Sequence, residues 1–251
     1  MSENRSGEKR DQSRAEWFSQ TSWTTINTAK QGGTPAGRLA LEQLCQTYWY
    51  PLYTYVRRLG QSPQDAEDVT QAFFYHLLEK DFLEGVDRAR GRFRSFLLAA
   101  LKHFLENERR YRSAAKRGGG RTILSLDEET AEGRYVREPV SDLSPEMSYE
   151  RAWAATLLEE ALHRLRAEYQ ASGKTALFDQ VKCFLDGNTE LGSYKTLAAQ
   201  VGMTPNALGV AVHRLRQRYG ELIRDEITRT IDSPFEVDEE MRHLLSLLAE
   251  A

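Results

Sequence analysis

Apolar residues recur at intervals of three and four along most of this chain, and no stretch alternates apolar with polar residues long enough for a strand. That spacing gathers apolar side chains on one side of a helix, which confines the chain to helix-on-helix packing. From Ala36 to Arg58, the residues Leu39, Leu41, Leu44, Cys45, Tyr48, Leu52, Tyr55 and Val56 follow it. Pro51 falls inside that pattern and predicts a kink or a break between two helices. In the next helix Ser62 is the N-cap, Pro63 the first helical residue and Asp65 the third, with Val69, Phe73, Leu77 and Leu78 as the core face. After a loop at residues 85–91 the period returns from Ser95 to Ala115, with Leu97, Leu98, Leu101, Phe104 and Leu105 inward. Gly118-Gly119-Gly120 ends it. Helices resume near Pro145, running to about Tyr169, and again from about Lys174 to Leu185. The predicted fold class is all-α: two small helical domains joined by an acidic linker.

The expected organisation is a tail and extension at 1–34, a first domain at 35–118, a linker at 119–145, a second domain at 146–226 and a helical extension at 227–251. Trp17, Phe18, Trp23 and Ile26 form an aromatic-rich cluster of the kind that docks onto a neighbouring domain. From Ser125 to Glu146 seven acids face only Arg134 and Arg137, with two prolines and little periodicity, which reads as irregular linker. In the last segment Val237, Met241, Leu244, Leu245 and Leu248 have helical spacing, and this helix is expected to pack onto one domain in cis. A chain of 251 residues is long enough for two buried cores.

The two cysteines, Cys45 and Cys183, lie far apart with no CxxC and no nearby histidine. This pattern argues against a disulfide framework or a metal site and fits a reducing cytoplasm. The first residues lack a signal-peptide core, and the longest apolar run, Phe96 to Leu101, is too short to span a bilayer. The expectation is a soluble cytoplasmic protein with no membrane partner. It has no phosphate-cradling loop leading into GK[ST] and no usable Ser/His/Asp set, so no catalytic residue, cofactor or metal is assigned.

Charge reverses sharply between residues 63 and 121. From Pro63 to Asp87 there are seven acids (Asp65, Glu67, Asp68, Glu79, Asp81, Glu84, Asp87) against Lys80 alone. From Arg88 to Arg121 there are eleven Lys and Arg against Glu106 and Glu108, with Phe93, Phe96, Phe104 and Tyr111 interleaved. An acidic helix followed by a basic, aromatic-studded one fits two partners, one basic and one a phosphate backbone. Part of the acidic excess also fits compensation of the helix dipole.

Tyr194 to Tyr219, YKTLAAQVGMTPNALGVAVHRLRQRY, has the layout of a helix-turn-helix. Leu197, Ala198 and Val201 belong to the first helix, Gly202 supplies the turn, Thr204 caps the second helix and Pro205 starts it. Leu208, Ala211 or Val212, and Leu215 form the buried stripe, and Asn206, Gly209, Val210, His213, Arg214 and Gln217 the opposite side, where base edges and phosphates are met. The segment carries Lys195, Arg214, Arg216 and Arg218 and no acid, so its attraction for phosphate reads as undiluted.

With these segments in order, the chain resembles the extracytoplasmic-function (ECF) sigma factors of bacterial RNA polymerase, within the sigma-70 superfamily. It is most similar to the planctomycete type. The resemblance rests on YWYPLYTYVRRLGQSPQDAEDVTQAFFYHLLEKDF, GRFRSFLLAALKHFLENERRYRSAAKRGGG and the helix-turn-helix. It implies two partners, core RNA polymerase and promoter DNA, with an anti-sigma protein or other regulator as a further candidate. Asp65, Asp68, Gln71 and Phe74 would dock on the clamp coiled coil of the polymerase, where carboxylates steer a basic partner. Arg92, Arg94, Lys102, His103, Asn107 and Arg110 would read and melt the minus-ten element, a task needing cations and stacking surfaces. Lys195, Thr204, Asn206, Val210, His213, Arg214 and Gln217 would read the minus-thirty-five element. The acidic linker would thread toward the catalytic channel.

Two departures stand out. Phe96, His103 and Asn107 occupy places where many members carry Trp, Asn and Asp. Gly209 sits where a longer polar residue is common. The alternative function is a stand-alone helix-turn-helix regulator, which leaves the acidic and basic helices unexplained. Thr70, beside Asp68, raises the question of phosphorylation, but the carboxylates already present make such a switch unnecessary.

Overall fold

The computed structural model describes residues 28, 34–79, 92–114, 128–137, 143–186, 191–230 and 236–249. Among them every extended element is helical, as the apolar spacing requires: α1 (Pro35–Arg58), α2 (Pro63–Glu79), α3 (Phe93–Ala114), α4 (Glu128–Arg137), α5 (Pro145–Ala171), α6 (Thr175–Val181), a 3₁₀ turn (Lys182–Asp186), α7 (Leu191–Gln200), α8 (Pro205–Thr230) and α9 (Val237–Ala249). The cluster at Trp17, Phe18, Trp23 and Ile26, the loop at 85–91 and the glycine run at 118–120 lie outside the described residues.

Four of these helices begin with the same dipeptide, a hydroxyl residue followed by proline. The side-chain oxygens of Thr34, Ser62, Ser144 and Thr204 accept hydrogen bonds from the amides of Gly37, Asp65, Met147 and Ala207 at 3.0, 3.1, 3.2 and 3.2 Å. Each cap satisfies an otherwise orphaned N–H while the proline, which has none, supplies a φ already suited to the first turn. Ser62 also donates to the Asp65 carboxylate at 2.6 Å, a side-chain contact within the same first turn.

Of the kink or break expected at Pro51, the break does not occur: α1 runs unbroken through it. An internal proline costs about 3 kcal/mol. Here Tyr48, Trp49, Tyr50, Leu52, Tyr53, Tyr55 and Val56, on both sides of it, are all buried, and that packing offsets the loss. The stretch read as irregular linker contains α4, which docks on α1. Arg57 reaches Glu132 with Nε at 3.0 Å and Nη2 at 2.8 Å, and Tyr53 donates its hydroxyl to the same carboxylate at 2.5 Å. Arg134 lies 3.9 Å above the Tyr50 ring, and Arg57 4.7 Å from the Tyr135 ring. The acids that made this stretch look like linker include the one that anchors it.

The described residues divide into two compact units, one of residues 157–227 and one of the residues up to 156 with those from 228 onward. The division falls inside α5, where the sequence reading put it at 145–146. The larger unit has Leu44, Tyr48, Leu52, Phe73, Phe74, Phe93, Leu97, Leu101 and Tyr149 at its centre. Phe93 meets Tyr48 edge-on at 5.4 Å, tying α3 to α1. The other unit is built on Leu165, Phe178, Val181, Phe184, Ala198, Leu208, Leu215 and Ile227.

Candidate nucleic-acid interfaces

α2 buries Ala66, Val69, Thr70, Phe73, Phe74 and Leu77. Its exposed residues include Asp65, Asp68, Ala72 and Tyr75, a single stripe at steps of three and four. Phe74, expected on the surface, is 1 % exposed and tilted against Phe73 at 5.7 Å. The outward aromatic is its neighbour Tyr75, 39 % exposed and in line with the two aspartates. One position is 100° of helix rotation, enough to carry a ring from core to solvent. Gln71 is half-buried and donates to Glu67 at 3.1 Å. Thr70 is fully buried and donates its hydroxyl to the Ala66 carbonyl at 2.7 Å, out of reach of a modifying enzyme in the folded chain.

α3 begins at Phe93 and carries its exposed polar side chains on one face: Ser95, Lys102, His103, Asn107, Arg109 and Arg110. Of its aromatics, Phe93 and Phe104 turn the other way, while Phe96 lies on the side of His103 and Asn107. Phe93 is buried, Phe96 is half-buried and stacks on it at 6.1 Å, and Phe104 meets Phe73 edge-on at 5.7 Å. Lys102 pairs with Glu146 at 2.7 Å, a contact that holds this carboxyl below the usual carboxylate range. Arg110 is largely exposed and pairs along the helix with Glu106 at 3.2 Å.

Arg94 is not a surface cation. It is 3 % exposed, donates to Glu150 at 2.9 Å and to Glu240, and its guanidinium lies 4.1 Å above the Trp153 ring. Burial acts to lower its pKa, but Glu150 and Glu240 outweigh that and raise it, so the side chain stays charged. The Tyr149 hydroxyl closes the cage by donating to the Arg94 carbonyl at 2.9 Å. Arg92, half-exposed, faces Glu240 at 2.9 Å and Glu239 at 3.8 Å. The Arg94 side chain, expected at the minus-ten element, is held inside the unit by carboxylates far away in sequence.

The smaller unit contains the helix-turn-helix. α7 ends in a paired cap: Met203 N–H donates to the Ala198 carbonyl at 2.9 Å and Gly202 N–H to Ala199 at 3.4 Å, with Gly202 at φ +66°. This is the reverse turn in which glycine replaces other residues because its φ is positive. Ala198, Leu208, Val212 and Leu215 are buried, and Lys195, Thr204, Asn206, Val210, His213, Arg214 and Gln217 are exposed. A Cβ added to Gly209 would meet nothing within 4 Å, so no packing demands glycine there.

Two of the four cations read as undiluted phosphate attraction are used internally. Arg216 donates through Nε and Nη2 to the Phe184 carbonyl at 3.0 and 2.7 Å, capping the 3₁₀ turn. Arg218 grips Glu168 at 2.9 and 2.7 Å and Glu221 at 2.9 Å, holding the Glu168 carboxyl below its usual range. Lys195 and Arg214 remain on the outer face. Among the described residues no His/Cys/Asp/Glu group could hold a metal ion, and no helix is long and apolar enough to cross a membrane.

A family model described as ECF sigma factor matches residues 25–183, well over half of the chain. The match ends before α7 begins. No curated protein and no solved structure matches the chain.

Proposed function

The chain belongs to the ECF sigma factor family, and from that membership we propose that it docks on core RNA polymerase through α2, engages promoter DNA through α3 and α8, and helps to open the duplex near the start site. The family makes the protein an RNA polymerase sigma factor that takes part in transcription and binds DNA. The family is not an enzyme class; in the proposed role the polymerase does the chemistry. The planctomycete type is part of the proposal and rests on the three sequence segments.

The division of labour among residues follows from exposure and charge. Asp65, Asp68 and Tyr75 form the docking stripe: the carboxylates steer a basic partner, and the ring supplies contact area at small entropic cost. Gln71 flanks it, and Phe74 supports it from below. On α3, Lys102, His103, Asn107 and Arg110 would track the minus-ten strand, with half-exposed Phe96 as the ring best able to meet an unstacked base. On α8, Asn206, Val210, His213, Arg214 and Gln217 would enter the major groove of the minus-thirty-five element. Lys195 would approach the backbone, and Thr204 fixes the helix start. The role of α4 in the polymerase channel is likewise a proposal: the helix would have to leave α1 to reach it. An anti-sigma protein is a candidate partner of the same exposed faces.

The observation that carries this reading is the pairing, within one unit, of an acidic exposed stripe on α2 with a polar and basic one on α3. A stand-alone regulator has no use for the first. Run-off transcription of fragmented genomic DNA by core polymerase with and without the protein tests it. New, discrete transcripts that depend on the protein support the role, with permanganate-reactive thymines upstream marking the opened duplex. Transcription unchanged by its addition contradicts it.

A further inference from the structure

α9 opens with three consecutive acids, Asp238, Glu239 and Glu240. Acids in a first turn ordinarily compensate the helix dipole and point to water. Glu240 does not: it is 0 % exposed and its carboxylate meets Arg94 and Arg92. Glu239 adds a longer approach to Arg92 at 3.8 Å, and Leu244 and Leu247 seal the helix against the same unit. His243 faces Glu150 at 3.2 Å, so α9 reaches both carboxylates that hold Arg94.

These arginines open α3, the helix assigned above to the minus-ten strand. Two guanidinium charges are met there by Glu150, Glu239 and Glu240, so the site presents no net positive charge. The electrostatic part of single-strand affinity comes only from cations the strand itself can neutralise. Arg94 would keep Glu150 if α9 left, whereas Arg92, among the described residues, pairs only with the carboxylates of α9.

We infer that α9 is a latch in cis: its Glu239 and Glu240 carboxylates occupy the place of strand phosphates at Arg92 and Arg94, and the start of α3 takes up single-stranded DNA only when α9 yields. This rests on the sigma reading, and deepens it by giving the C-terminal helix a regulatory role. The occupant and the competitor share one chemistry, an anionic oxygen paired with a guanidinium.

The test measures binding of a fluorescently labelled single-stranded oligodeoxynucleotide to the full-length protein and to Glu239→Gln/Glu240→Gln, across a salt series. The latch requires the variant to bind about three- to tenfold tighter near 0.1 M salt, with a salt slope steeper by about one. Equal affinity and slope in a variant that melts with the parent overturns it. Because Glu240→Gln touches a buried pair, hydrogen exchange on the unmodified chain provides a second arm. Saturating oligonucleotide should speed exchange of the α9 amides; protection unchanged in the bound state overturns the latch. Binding of the unmodified protein to core polymerase, measured separately, judges the sigma reading: its failure would remove that reading, while failure of the oligonucleotide arms alone removes only the latch.

Discussion

Glu132 holds Arg57 in a two-pronged grip, Oε2 to Nε at 3.0 Å and Oε1 to Nη2 at 2.8 Å, across 75 residues of sequence. The pair fastens α4 to α1, and the Arg57 hydrogen bonds are the main reason the Glu132 carboxyl sits below its ordinary range. A depressed carboxylate contributes stability above its unfolded pKa, and that contribution is lost as pH falls through the folded value. Glu132→Gln should therefore cost about 1–2 kcal/mol near neutral pH, since both partners are partly exposed. The gap from the parent should close as acid protonates Glu132. Near-ultraviolet circular dichroism of the Trp49–Tyr53 stack, at 5.0 Å, reports the docking of α4. A gap that persists unchanged at acid pH would contradict the assignment.

Phe74 and Tyr75 should respond in opposite ways to alanine. Phe74→Ala removes a buried ring and should destabilise by about 3–5 kcal/mol. Tyr75→Ala should cost much less stability than Phe74→Ala and weaken polymerase binding. Thermal denaturation and binding to core polymerase on the same two variants separate the effects.

Arg214 and Arg216 are two positions apart on α8, yet only Arg216 is committed to the fold. Arg214→Ala should lower affinity for duplex containing the minus-thirty-five element and reduce the salt slope by about one. Arg216→Ala strips the Phe184 carbonyl of both its Arg216 donors and should show itself in stability. Melting curves and salt-dependent DNA binding distinguish the two.

Gly209 lies within α8 with open space where a side chain would project. Gly209→Ala should stabilise by about 0.5–1 kcal/mol through helix propensity alone. Gly209→Arg should also tighten duplex binding without adding sequence preference, because a flexible cation reaches phosphate more readily than a base edge. Denaturant melts and competition with unrelated duplex measure both effects.

What could be read from sequence was whatever is local. The hydroxyl–proline starts at Ser62 and Thr204, the reverse turn at Gly202 and the buried stripe of Leu208, Val212 and Leu215 involve residues within a few positions of each other, and each stands where the spacing put it. What could not be read was distant pairing. Arg94 and Arg216 look like any cation of a basic helix, but Arg94 is held from 56 and 146 residues away and Arg216 from 32, and Arg218 adds Glu168, 50 residues away, to its local partner Glu221. The docking of α4 is the same case: its acids carried the signature of linker, and only Arg57, far upstream, makes one of them an anchor. The burial of Phe74 was hidden for a different reason. Three aromatics in a row, Phe73 to Tyr75, sweep through most of the helix circumference, and periodicity alone does not say which one escapes the core.

The most direct test of the sigma role is co-elution of the purified full-length protein with sigma-free core RNA polymerase, beside an Asp68→Lys/Tyr75→Ala variant that leaves the Ser62–Asp65 cap intact. The result expected is a stable complex with the parent and loss of that complex in a variant that melts at the same temperature. No complex with the parent, together with tight binding of duplex DNA by the protein alone, would contradict the assignment and favour a stand-alone helix-turn-helix regulator.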